Sequence, residues 1–231
     1  MKREYPASAS LHGSRLPFHV AGKLLDNGCL IRRLGLVSYE PVWQAMREFT
    51  AKRDAVTPNE LWLLEHEPVY TYGVAGREAH FPRGAGAIPV LKSDRGGQVT
   101  YHGPGQWVVY VLWNLARDGL SVRQMVRKLE NAVTGLLDDY GISARGREDA
   151  PGVYVNGAKI ASLGLRIRKG CSYHGLALNA DMDLTPFSYI DPCGMPGLPV
   201  TQMRDLGVRT SMAETGEKLL EHVLHQMSIP T

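Results

Sequence analysis

At 231 residues the chain can bury one sizeable core, and 44% hydrophobic with 21% charged residues is the composition of an ordinary globular protein. Its net charge of +3, without a Lys/Arg block interleaved with aromatics, argues against nucleic-acid binding and is compatible with an acidic protein partner. Three cysteines (Cys29, Cys171 and Cys193) without paired spacing argue against a disulfide framework and fit a reducing cytoplasm; no CxxC or HExxH pattern calls for a metal, and no apolar run is long enough for a membrane span or a secretory signal.

Residues 1–28 are polar and unpatterned and read as a loose N-terminal extension, leaving 29–231 as a single domain. A strand is expected over 31–37. A helix capped by Ser38 follows, with Tyr39, Val42, Trp43, Met46 and Phe49 on its apolar face. Residues 60–66 and 69–73 read as strands broken at Pro68, and His66 at that break reads as a surface or satisfied histidine. After a Gly/Ala/Arg/Pro loop over 74–87 and a short strand over 88–91 comes SDRGGQVTYHGPGQWVVYVLW, residues 93–113. Its glycines allow either a ligand loop or a tight structural turn, and the spacing fits neither a P-loop nor a dinucleotide fingerprint. The apolar WVVYVLW run reads as a strand buried on both faces.

Ser121 opens a second amphipathic helix that Gly141 terminates, and a strand resumes over 142–145. Runs over 153–155, 158–168 and 172–180, separated by Asn156-Gly157 and Lys169-Gly170, predict three consecutive antiparallel strands. A Pro/Gly-rich loop covers 181–199, and Ser211 with Glu214 predicts the capping box of a last helix. Hairpin clusters with helices set between them indicate an α+β domain.

Within this order two residues stand out. Cys193 occupies a Pro-Cys-Gly corner, and Lys159 follows the Asn-Gly turn, 34 positions earlier. A cysteine becomes a nucleophile near neutrality when a nearby cation favours its thiolate, so this pair suggests covalent acyl chemistry if the fold brings it together. Otherwise Cys193 is an inert small hydrophobe and Lys159 a solvated strand lysine. His102 reads as a general base or a turn residue, His174 is open in the same way, and Cys29 and Cys171 read as structural.

RGGQVTYHGPGQ, GVYVNGAKIASLGLRIRKGCSYHGLALN and DPCG, in this order, closely resemble bacterial octanoyltransferases, the lipoyl(octanoyl) transferases of lipoate biosynthesis, over roughly residues 30–215. The resemblance implies a mixed β-sheet flanked by helices, similar to the catalytic domain of biotin– and lipoate–protein ligases, and makes 29–231 a catalytic domain. It implies transfer of octanoyl from octanoyl-acyl carrier protein to a lysine of lipoyl domains, in 2-oxoacid dehydrogenase E2 subunits and the glycine cleavage H protein, as the first committed step of endogenous protein lipoylation. No cofactor, metal, nucleic acid or membrane is expected to take part, and the expected setting is cytoplasmic. Cys193 would carry the acyl group as a thioester and Lys159 would lower its pKa. The acyl-binding wall would comprise Arg95, Gly96, Gly97, Gln98, Val99, Thr100, Tyr101 and His102, then Ser162, Leu163 and Gly164, then Gly175, Leu176 and Ala177. Asp191 stands where the family more often has Asn, and backbone N–H groups of the 192–194 turn or of Gly96-Gly97 are candidates for an oxyanion hole. The competing readings are an ATP-dependent lipoate ligase, a cysteine hydrolase using His102 or His174, and an acyl-carrier binding module.

Overall fold

The structure, a computed structural model, describes residues 22–77, 82 and 86–228, with Cys193 described by its backbone. The first 21 residues of the expected extension, and part of the 74–87 loop, lie outside the described residues. In chain order the elements are β1 (Lys23–Leu24), β2 (Leu30–Val37), α1 (Tyr39–Lys52), β3 (Glu60–His66), β4 (Val69–Tyr72), β5 (Val90–Lys92), β6 (Val99–His102), β7 (Gln106–Leu112), α2 (Val122–Asp138), β8 (Arg145–Gly146), β9 (Gly152–Val155), β10 (Ala158–Arg168), β11 (Cys171–Asn179) and α3 (Met212–Ser228).

Among the described residues the strands form an eight-stranded sheet, β1-β2-β3-β7-β11-β10-β9-β8, and a three-stranded one, β5-β4-β6. Both are mixed: β2–β3 and β4–β5 run parallel, and the other pairs antiparallel. One face of the large sheet carries Ile31, Leu61, Leu63, Val109, Val111, Leu176 and Leu178 into a core with α2 and α3. The other face carries Trp62, Leu64, Val108, Tyr110 and Ala177 toward Val42, Ala45 and Met46 of α1. The period-2 alternation along β3, β7 and β11 thus serves two cores at once, which is why WVVYVLW reads as an apolar run buried on both faces.

Asn156 (φ 50°) with Gly157 (φ 84°), and Lys169 (φ 51°) with Gly170 (φ 73°), are two-residue turns with both central residues left-handed, matching the twist of the strands they join. Ser121 caps α2 in a reciprocal box with Gln124. Three expectations differ. The strand expected over 142–145 is only Arg145–Gly146, because Ile142 N–H closes the end of α2 on Leu137 O at 3.0 Å. The sheet begins earlier than residue 29, with Lys23–Leu24 paired to β2. Inside the glycine-rich stretch, Val99–His102 is a strand paired to β4.

Candidate active site

Lys159 sits at the start of β10, where the pairing with β9 shifts register between Lys159 and Ala161. Such a bulge re-aims a side chain. Lys159 is only 2% exposed. Its Nζ donates to Pro151 O at 3.1 Å and lies 5.3 Å from the centroid of the Tyr154 ring, two electron-rich partners for a buried ammonium. Its backbone is bridged to the segment after the cysteine turn: Lys159 N–H donates to Pro199 O at 2.8 Å, and Thr201 N–H donates to Lys159 O at 2.9 Å.

That segment follows the turn that carries Cys193. Pro192–Gly194 forms one 3₁₀ turn, closed by Gly194 N–H to Asp191 O at 2.8 Å and Met195 N–H to Pro192 O at 3.1 Å. A few residues later the chain is pinned along Lys159, and Gly194 packs on the Gln98 side chain. Cys193 therefore lies on a turn held between the start of β10 and the glycine loop. Its side chain lies outside the described residues.

The glycine loop combines the two roles left open from its pattern. It is a built structure: the Arg95 guanidinium donates to Thr71 O (2.7 Å), Thr71 Oγ1, Gly96 O (2.9 Å) and Gln98 O (2.7 Å). Gly96 and Gly164 let this loop lie backbone to backbone on β10. Gly96 N–H donates to Leu165 O at 2.9 Å, and a Cβ on Gly164 would stand 2.9 Å from Gly96 O. It also lines a groove together with Ser162, Leu163, Gly164, Gly175, Leu176, Ala177 and Pro192. Arg95, Gly97, Gln98, Val99, Thr100 and His102 face this groove. Tyr101 instead packs with Tyr70 and Phe187 in a separate small core, and Gly96 acts through its backbone. Two candidate oxyanion donors are already used, since Gly96 N–H serves Leu165 O and Gly194 N–H serves Asp191 O.

Pattern reading passed over Tyr39, Val108 and Tyr110 as lining; His174, left open there, lines the groove as well. Tyr39 OH and Ser93 Oγ are 2.8 Å apart. His66 is fully buried. It sits 2.9 Å from Val37 O through Nδ1, so Nδ1 carries the proton and Nε2 accepts from Tyr110 OH at 2.7 Å. His174 Nε2 lies 3.0 Å from Asp94 Oδ1, and the same carboxylate receives Tyr173 OH (2.5 Å) and Trp43 Nε1 (2.7 Å). His174 takes a left-handed φ of 60°, which turns its ring onto Tyr173, 5.1 Å away, where consecutive residues of a regular strand would diverge.

Burial holds these imidazoles neutral. It pulls His66 down to about 4 and His102 well below the usual histidine range. His174 is lowered by burial against the opposing pull of Asp94. Burial works to raise the Asp94 carboxyl, but hydrogen bonds from His174, Tyr173 and Trp43 win and keep it ionised. His102 Nδ1 lies 2.7 Å from Gln106 Oε1, and Gln106 Nε2 donates to Tyr101 O and Asn179 Oδ1, so His102 also has one nitrogen committed. Among the described residues no cluster of three or more His, Cys, Asp or Glu is arranged to hold a metal, and no helix is long and apolar enough to cross a membrane.

Residues 38–224 match the family of lipoyl protein ligase A/B catalytic domains. The chain is 55% identical over 195 residues to an octanoyltransferase of Azoarcus sp. strain BH72, covering 84% of this chain and 86% of the relative. It is 56% identical over 200 residues to one of Laribacter hongkongensis, covering 87% and 96%. Among solved structures it is similar to lipoate-protein ligase A bound with ATP, with a TM-score of 0.70 at 17% identity and 84% of each chain covered. It is also similar to a biotin protein ligase of Aquifex aeolicus, with a TM-score of 0.53 at 12% identity, covering 85% of this chain and 68% of that one. At these identities the two likenesses establish the α+β fold alone.

Proposed function

This chain belongs to the lipoyl protein ligase A/B catalytic-domain family, and from that premise we propose that it is an octanoyltransferase working through an acyl-enzyme. The donor is octanoyl-acyl carrier protein, and the acceptor is a lysine of a lipoyl domain, on 2-oxoacid dehydrogenase E2 subunits and the glycine cleavage H protein. The product opens endogenous protein lipoylation as its first committed step. What supports the reading is that 199–201 is pinned along the backbone of Lys159, a few residues after the Pro192–Gly194 turn, and that Pro192 of this turn lines the same groove as Ser162, Gly164, Gly175 and Ala177.

The Cys193 thiolate attacks the carbonyl carbon of the donor thioester, and the carrier's thiolate leaves with the electrons of the broken C–S bond. The departing carrier thiolate takes a proton from the Lys159 ammonium; the acceptor amine then attacks the acyl-enzyme, an amide C–N bond forms, Cys193 leaves as thiolate, and the amine's proton passes to the now neutral Lys159 or to solvent. The first exchange is between thioesters and nearly neutral; the second forms an amide from a thioester and runs downhill without ATP. The chain would lie in the groove lined by Ser162, Gly164, Gly175 and Ala177.

Intact mass of the protein mixed with octanoyl-acyl carrier protein, without ATP, metal or acceptor, tests this. The expected result is a hydroxylamine-sensitive octanoyl adduct that a lipoyl domain removes. ATP-dependent loading of free octanoate alone would mean a ligase, and rapid release of octanoate despite acceptor a hydrolase.

Gly152 offers a subtler test. It has φ 146°, and a Cβ there would stand 2.6 Å from Lys159 Cε and 2.9 Å from Nζ. Gly152→Ala should push the ammonium off its seat and slow transfer by about 10- to 100-fold, the order of effect of a displacement of about 1 Å. The check is kcat/KM beside a thermal unfolding curve, which separates a misplaced ammonium from an unfolded chain.

A further inference from the structure

We infer that Tyr110 and Tyr39 set the length of acyl chain the enzyme accepts, by closing the groove over β7. This rests on the acyltransferase reading above and adds to it the residues that choose the substrate. The groove runs across the strands. Ser162 pairs with Ala177 and Ala177 with Val108; Gly164 pairs with Gly175 and Gly175 with Tyr110. From β10 through β11 to β7 is two interstrand spacings, about 9.5 Å. That is close to the span of an extended eight-carbon chain whose carbonyl starts at the 192–194 turn above β10.

The next strand, β3, contributes nothing to the lining among the described residues, although Trp62 and Leu64 stand beside Tyr110 and Val108. Val42, Ala45 and Met46 of α1 cover that part of the sheet, and Tyr39, the first residue of α1, turns into the groove's end. Tyr39 is 3% and Tyr110 4% exposed. Neither ring is free to swing aside. Ser93 holds the hydroxyl of Tyr39 and His66 that of Tyr110, and the His66 ring lies 5.1 Å from Tyr39 and 5.8 Å from Tyr110. His102 stacks on Tyr39 at 6.0 Å. A stop made of locked rings is what length discrimination requires, because a side chain that can hop rotamers yields to one more methylene.

The test is kcat/KM for hexanoyl-, octanoyl-, decanoyl- and dodecanoyl-acyl carrier protein with a lipoyl-domain acceptor. Wild type should favour octanoyl over decanoyl by roughly tenfold or more, the usual worth of added methylenes in a packed pocket. Tyr110→Leu and Tyr39→Leu should raise the decanoyl:octanoyl ratio at least about tenfold. Tyr110→Phe, which keeps the ring, should move that ratio by less than about twofold. Ala177→Leu, midway along the groove, should shift preference the other way, toward hexanoyl. Rates that fall alike for every chain length in the leucine variants, with the ratios unmoved, would overturn the stop. Absence of octanoyl transfer by the wild-type protein would overturn the acyltransferase reading and, with it, the premise of the stop.

Discussion

Cys193→Ser should form no octanoyl adduct and should lose on the order of 10⁴-fold or more in transfer, the scale seen when a catalytic nucleophile is removed. Serine is nearly the same size, so the change tests chemistry rather than packing. A neighbouring ammonium can hold a thiol ionised at neutral pH because an ordinary thiol titrates near 8.5; an alcohol lies far too high for one positive charge to do the same. A serine would need a general base, and the groove's imidazoles are built for other work. His66 uses both nitrogens, His102 is tied to Gln106, and His174 is tied to Asp94. Cys29 and Cys171 are buried free thiols; burial, helped by the charge of Glu60, pushes the Cys29 thiol up to about 12, so it is no rival nucleophile. Intact mass and acceptor transfer, with Cys29→Ser retaining the adduct, check the assignment. Serine retaining more than about a tenth of the rate would show that no thiolate is required.

The parts of this fold that were legible in the sequence are those written locally. Two left-handed turns, Asn156-Gly157 and Lys169-Gly170, announce β9, β10 and β11 because Asn and Gly favour that backbone and each turn carries a Gly at its second position. The Ser121–Gln124 box announces α2 in the same way. What was not legible is long-range. β6 is four residues between glycines and exists because β4 is there to pair with it. His66, standing before a proline, gives no local sign that Val37 and Tyr110 wait on either side of its ring. Tyr39 reads as one more apolar helix residue, and only the sheet beneath shows that it turns into the groove. A weak signal was present in Tyr110: a phenol inside WVVYVLW must find a partner when buried, and that partner is His66. The motif-bearing residues were legible as candidates, but the backbone bridge that ties Lys159 to 199–201, the segment after the Pro-Cys-Gly corner, belongs to no motif.

Lys159→Ala should slow the two half-reactions unequally, and the inequality separates two roles for one ammonium. An opposite charge within hydrogen-bonding range lowers a thiol's pKa by roughly 1–3 units, which multiplies the thiolate present at pH 7 by about 10- to 10³-fold. A thiolate of lower pKa is also a poorer nucleophile, with a Brønsted slope of about 0.4–0.5, so roughly half of that logarithmic gain is returned. Acylation should therefore fall only about 3- to 30-fold. The sign with pH follows: without the cation the thiol keeps its proton to higher pH, so the rising limb of acylation moves up in pH and the deficit shrinks as the medium becomes more alkaline. Deacylation differs, because the attacking amine must shed a proton, and loss of a positioned proton carrier costs about 10²- to 10⁴-fold. Transfer from a preformed acyl-enzyme to a lipoyl domain should thus fall at least about 100-fold in the variant. Lys159→Arg should restore little of either step: Gly152 already approaches Lys159 Cε, and a broad planar guanidinium does not fit a seat made for an ammonium under Pro151 O. Rapid-quench rates for each half-reaction across pH are the measurement. Equal losses in both steps, independent of pH, would reduce Lys159 to a residue that packs the turn, and a loss confined to acylation would leave it only the thiolate to tune.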